Sequence, residues 1–241
     1  MKCQNCQTEI TRAISYCNKC GSKLITEPVD DYSKSINRTK VFFFVLLGYI
    51  ALLHVLKLNS NYVYSIIADL IFAIIVVTFL VLNFNSIKGT LIPKITDYRL
   101  LTILCLGLVF LAFIVSHFAN YLNESVFNNS NSTYIEHYKD SPLPLLFSII
   151  SVGVFPAIFE EIAFRGILFN ELKNIVSTNS TIIISTVLFT ILHFSLISFL
   201  WIFPIGLLFG YLRSKYDNLI YGIIGHFVYN SSIVMIEFIN V

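Results

Sequence analysis

The sequence predicts an all-α polytopic membrane protein, with about seven transmembrane helices preceded by a small zinc-ribbon module. Three observations carry that prediction. The 241 residues are 56% hydrophobic and only 12% charged, with a mean hydropathy of +0.77, whereas a soluble domain is about 25% charged. From Val41 onward the apolar runs exceed what a soluble core of this size can hide. Residues 1–25, in contrast, are polar and hold two cysteine pairs, which also argues against a cleavable signal peptide. The net charge of +2 is small and singles out no partner.

Residues 1–25 read as a zinc ribbon. Cys3-Gln4-Asn5-Cys6 and Cys17-Asn18-Lys19-Cys20-Gly21 are two C-x2-C knuckles separated by ten residues, and four thiolates at this spacing can enclose Zn²⁺ tetrahedrally. Gly21 permits the tight turn that follows a knuckle. So short a module buries too little apolar surface to fold alone, so a structural zinc supplies most of its folding energy. A pair of disulfides is the alternative, favoured only outside the cell. The ribbon has few basic residues, so nucleic-acid binding is not indicated. Residues 26–40 are polar and charged and read as a cytoplasmic linker. Residues 41–241 form the transmembrane domain.

Spans are predicted at Val41–Leu58, Tyr62–Asn83, Leu100–Asn120, Leu143–Asn170, Thr181–Ser195, Ile197–Leu212 and Leu219–Ile239, since a crossing needs about 20 apolar residues. Only a short turn near Leu196 separates the fifth from the sixth. Pro142 and Pro144 suit the first turn of the fourth span. Pro156 lies inside it and removes the partner of the Val152 carbonyl, which predicts a kink. With a cytoplasmic N-terminus, all of the 16 Lys and Arg residues except Lys57 and Lys139 fall on the inner side, as the positive-inside rule requires. That places the chain in a bilayer, expected to be the plasma membrane, with its cysteines in a reducing compartment.

The segment Phe159-Glu160-Glu161-Ile162-Ala163-Phe164-Arg165-Gly166 puts three charges inside the fourth span. Each costs about 2.5–3.5 kcal/mol at a bilayer centre, so they must face protein or water, and such clusters mark functional sites. Glu160 and Glu161 point about 100° apart on a helix. Glu161 and Arg165 share a face in the favourable order and are expected to pair. Glu160 is then left as a candidate general base. His193, one turn after Phe189, can orient a water. His226 and Asn230 share a face of the last span and could donate hydrogen bonds to a developing oxyanion. The bland readings are helix-locking glutamates, a packed histidine, and interhelical hydrogen bonds worth about 0.6 kcal/mol. Asp69, within the second span, reads as a pairing residue or a cavity lining.

Glu-Glu-x-x-x-Arg, Phe-x-x-x-His and His-x-x-x-Asn, on successive apolar helices, together resemble the CPBP family of CAAX prenyl proteases and bacteriocin-processing enzymes, also called Abi. The resemblance covers residues 142–241 and leaves the ribbon outside. It implies an intramembrane endopeptidase acting on a membrane-associated protein or peptide. Glu160 and His193 would activate water, His226 and Asn230 would form the oxyanion hole, and Glu161 with Arg165 would support them. Family members are described both as metalloproteases and as metal-independent glutamic proteases. The reading favours no catalytic metal, because a held water and two oxyanion donors already complete a hydrolytic site. Two alternatives stand beside it. One is a non-catalytic scaffold or self-immunity protein on the same fold. The other is a small transporter, although no internal repeat is visible.

Overall fold

Helices make up most of the described residues in the computed structural model, which describes residues 2–10, 16–22, 24, 30–56, 61–93, 95–126 and 133–240. Among the described residues there is no strand beyond an isolated bridge between Lys2 and Glu9. The helices are α1 (Asp30–Val55), α2 (Tyr62–Leu82), α3 (Phe84–Leu91), α4 (Tyr98–Val126), α5 (Tyr134–His137), α6 (Pro144–Leu172), α7 (Thr178–Ile191), α8 (Phe199–Tyr216) and α9 (Ile220–Asn240). Residues 30–40, read from their polarity as linker, are already helical. Lys57 lies outside the described residues.

Among the described residues, five stretches are long and apolar enough to cross a membrane: Tyr32–Val55, Tyr62–Leu82, Tyr98–Leu122, Pro144–Leu172 and Ile220–Ile239. The fifth and sixth expected spans fall short of that standard. At 14 residues, α7 reaches about 21 Å, less than the roughly 30 Å of a hydrocarbon core. It stops at Ile191 rather than Ser195, and Phe194 is left-handed (φ 48°). Helix α8 has 18 residues, with Pro204 inside it and Arg213 and Lys215 in its last turn. On α2 and α4, large apolar side chains such as Leu70, Ile74, Val81, Leu106 and Phe110 are exposed, as a lipid-facing surface allows. The chain is an integral membrane protein.

The described chain divides into two compact units. The first comprises Met1–Leu52, Ile75–Pro93 and Ile162–Leu219; the second comprises Leu53–Ile74, Lys94–Glu161 and Ile220–Val241.

Helix α6 is irregular in a way its sequence explains. Pro144 occupies its first turn, where a missing N–H is harmless. Residues Ile149–Val154 and Ile162–Leu168 are π-helical, separated by the α-helical turns of Phe155–Glu161. Such widened turns are frequent at functional sites. The first precedes Pro156, which cannot donate to the Val152 carbonyl.

In the first unit, α7 packs on α8, and both meet the 162–168 segment. Small residues allow this: a Cβ on Gly210 would lie 3.1 Å from Ile182, and one on Gly206 would lie 2.8 Å from Thr186. Arg213 is 2% exposed and ties the unit together. Its Nε donates to the Arg165 carbonyl at 2.9 Å, Nη2 to Asn170 Oδ1 at 2.8 Å and Nη1 to Asp217 Oδ1 at 2.6 Å. Its guanidinium also lies 5.3 Å from the Phe169 ring centroid. Removing the side chain strips a donor from the Arg165 carbonyl and from Asn170 and leaves a cavity, so Arg213→Ala should destabilise the protein by about 3 kcal/mol. Arg213→Lys should recover little of this, because an ammonium cannot reproduce the guanidinium fork. Thermal unfolding in detergent measures both.

Candidate functional site

In the second unit, α9 packs on α4 and on residues 149–161 of α6. Gly222, His226 and Asn230, spaced four apart, lie along one face of α9, and each meets α6. His226 Nδ1 lies 3.2 Å from Glu161 Oε1, and its Nε2 lies 3.8 Å from Glu160 Oε2. A carboxylate only accepts, so Nδ1 carries the proton and donates it to Glu161. The Nε2 contact is ion-pair range, beyond a hydrogen bond. The adjacent carboxylates differ in access: the Glu161 side chain is 0% exposed and that of Glu160 is 24% exposed.

Gly222 makes room for this bond, since a Cβ there would sit 2.6 Å from Glu161 Oε2. Asn230 donates from Nδ2 to the Val152 carbonyl at 2.8 Å. That carbonyl is the one Pro156 was expected to free, and the structure supplies its partner from another helix. One Asn230 amide hydrogen is committed there, and the amide has a second.

On α2, Asp69 is half-buried and accepts a hydrogen bond from the Ser151 hydroxyl. The sequence marked Asp69 but not its partner.

The remaining predicted site residues belong to the first unit. Arg165, 1% exposed, stacks over Phe189 with its guanidinium carbon 4.3 Å from the ring centroid. Its Nη2 donates to the Gly206 carbonyl at 3.3 Å. The Glu-x-x-x-Arg spacing predicted neither partner, because both come from other helices. His193, expected deep within the fifth span, instead lies in the turn that follows α7 and is half-buried. The helix ends two residues earlier, so its apolar run continues into the turn. Its Nδ1 lies 3.0 Å from the Phe189 carbonyl oxygen, and its ring meets the Phe189 ring edge-on at 4.8 Å. A carbonyl only accepts, so Nδ1 bears a hydrogen, and in the neutral ring Nε2 presents the lone pair.

The ribbon forms a candidate metal centre. The sulfurs of Cys3, Cys6, Cys17 and Cys20 all lie within 4.8 Å of one another. Cys3 and Cys20 are 3.6 Å apart, and Cys6 and Cys17 are 3.5 Å apart. A tetrahedron of Zn–S bonds near 2.3 Å has edges of about 3.8 Å, so the four thiols fit. All are free, so the disulfide alternative does not describe them. The two knuckles fold alike: Gln7 N donates to the Cys3 carbonyl at 2.9 Å, and Gly21 N to that of Cys17 at 2.8 Å. Gln7 (φ 56°) therefore takes the left-handed place that Gly21 (φ 72°) takes in the second knuckle. Hydrogen bonds from the Ser22 hydroxyl and N–H hold the Cys20 thiol down to about 6, whereas burial pushes Cys17 up to about 11. A divalent cation would offset that burial cost by stabilising the thiolate.

Residues 142–232 match the Rce1-like family model, described as type II CAAX prenyl endopeptidase Rce1-like. No curated protein and no solved structure matches the chain. The matched segment contains all three polar motifs, and the match indicates a protease of the intramembrane endopeptidase kind.

The Gly222 contact gives a specific expectation. Gly222→Ala should cost about 1–3 kcal/mol through overpacking, whereas Gly107→Ala, inside α4 where a Cβ would meet nothing within 4 Å, should be neutral or stabilising. Detergent unfolding midpoints compare the two.

Proposed function

We propose that this chain hydrolyses a peptide bond in a membrane-associated protein or peptide, with Glu160, His193, His226 and Asn230 as its catalytic residues. The observation that carries the reading is His226, set against two adjacent carboxylates of unequal exposure within the matched segment. A purely structural lock needs only the buried pair with Glu161. Glu160 is the partly accessible carboxylate and suits a base that must meet water.

In this scheme Glu160 takes a proton from water, and the hydroxide adds to the scissile carbonyl. In its neutral form His193 keeps Nε2 as an acceptor, because the Phe189 carbonyl takes the Nδ1 hydrogen, and an acceptor is what orienting a water requires. When protonated, His226 can donate from Nε2 to the tetrahedral oxyanion, while Glu161 stabilises the imidazolium from the Nδ1 side. The second amide hydrogen of Asn230 supplies the other donor. Collapse of the intermediate breaks the C–N bond, and the proton held by Glu160 passes to the leaving amine. Glu161 and Arg165 position rather than react.

The ribbon would hold a structural zinc through Cys3, Cys6, Cys17 and Cys20. The distribution of Lys and Arg supports a cytoplasmic N-terminus, with the plasma membrane as the expected location. The family description makes a prenylated C-terminal peptide one substrate to test, alongside precursor peptides and membrane proteins.

Glu160→Gln and His193→Ala should each lower cleavage by at least about 1,000-fold while insertion and thermal stability persist. Membrane proteomes from cells carrying wild type or Glu160→Gln should differ in a defined set of peptide termini. Unchanged termini would sink the proposal. A scaffold would instead retain partner binding and function in His226→Ala. Purified protein should also contain about one zinc per chain. Chelation should release it and make the four ribbon thiols reactive towards a thiol reagent; thiols already reactive beforehand would exclude the zinc site.

A further inference from the structure

The first π-helical turn of α6, Ile149–Val154, precedes the helical turns that carry Glu160 and Glu161. Two polar side chains from other helices hold consecutive residues of it. Asn230 on α9 donates to the carbonyl of Val152, and Asp69 on α2 accepts from the hydroxyl of Ser151. Ser151 spends its one hydrogen on that carboxylate. Asp69 stands in an apolar span, where a carboxyl is costly. A widened turn has a looser backbone ladder than an α-helix, so its register needs such anchors.

We propose that Asp69 is a positioning residue: by accepting the Ser151 hydroxyl it anchors the Ile149–Val154 turn from the α2 side, opposite Asn230, and so fixes the placement of Glu160. Its importance for catalysis rests on the endopeptidase reading; the anchor itself does not. Asp69 acts through the hydrogen bond to Ser151, which a neutral acceptor of the same shape can replace.

The test uses full-length protein in lipid nanodiscs, with a synthetic peptide spanning a cleavage site found by the Glu160-dependent comparison of termini. Asp69→Ala and Ser151→Ala should each lower kcat by about tenfold or more, with KM nearly unchanged. The double variant should be no worse than either single one, because both delete the same bond. Asp69→Asn keeps an acceptor oxygen and should recover most of the loss. Hydrogen–deuterium exchange over residues 149–160 should rise in Asp69→Ala and Ser151→Ala and stay near wild type in Asp69→Asn.

Wild-type kcat and exchange in Ser151→Ala would overturn the inference. So would an Asp69→Asn protein as impaired as Asp69→Ala, since the charge rather than the bond would then matter. Ser151→Ala keeps the test decisive if Asp69→Ala fails to fold. If wild type shows no Glu160-dependent cleavage, the endopeptidase reading fails, and the exchange data alone still decide whether Asp69 holds the turn.

Discussion

A fully buried carboxylate in a membrane protein must find donors, and Glu161 finds one in His226 at 3.2 Å. Much of the second unit is arranged around that bond. It requires α9 to approach α6 closely, which Gly222 permits by leaving the space a Cβ would take from Glu161 Oε2. It also fixes the imidazole tautomer, because the Nδ1 hydrogen is committed to a group that only accepts. The other ring nitrogen is thereby directed towards Glu160, the more accessible carboxylate. Packing and ring orientation follow from one contact.

The two π-helical turns of α6 flank the carboxylates, and side chains from other helices satisfy carbonyls in both. Asn230 reaches the Val152 carbonyl in the first, and Arg213 reaches the Arg165 carbonyl in the second. An α-helix satisfies its own backbone, so such partners are unnecessary along a regular span. Inside a membrane no water is at hand to replace them. The irregular backbone and the polar residues that serve it therefore have to occur together.

The ribbon obeys different physics within the same chain. Its small cluster of Cys3, Ile10, Cys17 and Leu24 is far too little for a hydrophobic core to hold alone. Its order comes from two equivalent turns and four converging sulfurs. The second knuckle rests against the start of α7: the Thr178 hydroxyl donates to the Asn18 carbonyl, and a Cβ on Gly21 would touch Ser177 at 3.4 Å.

The amino-acid sequence alone determined the helical class, the membrane habitat and the cysteine tetrad. These follow from composition, run length and spacing, which are properties of the chain before it folds. Even the stranded Val152 carbonyl was legible, because proline lacks an N–H. The missed features were choices among partners. That His226 bonds to Glu161, that Arg165 stacks on Phe189, and that Asp69 takes the Ser151 hydroxyl all depend on which helices meet and at what height. Helical periodicity specifies a face and says nothing of what lies opposite. His193 was misplaced for a related reason: an apolar run does not reveal where a helix stops inside it, whereas the backbone turn after Ile191 does. Tertiary packing decides these matters because each hydrogen bond needs donor and acceptor within about 3 Å, a distance that residues far apart in sequence reach only after folding.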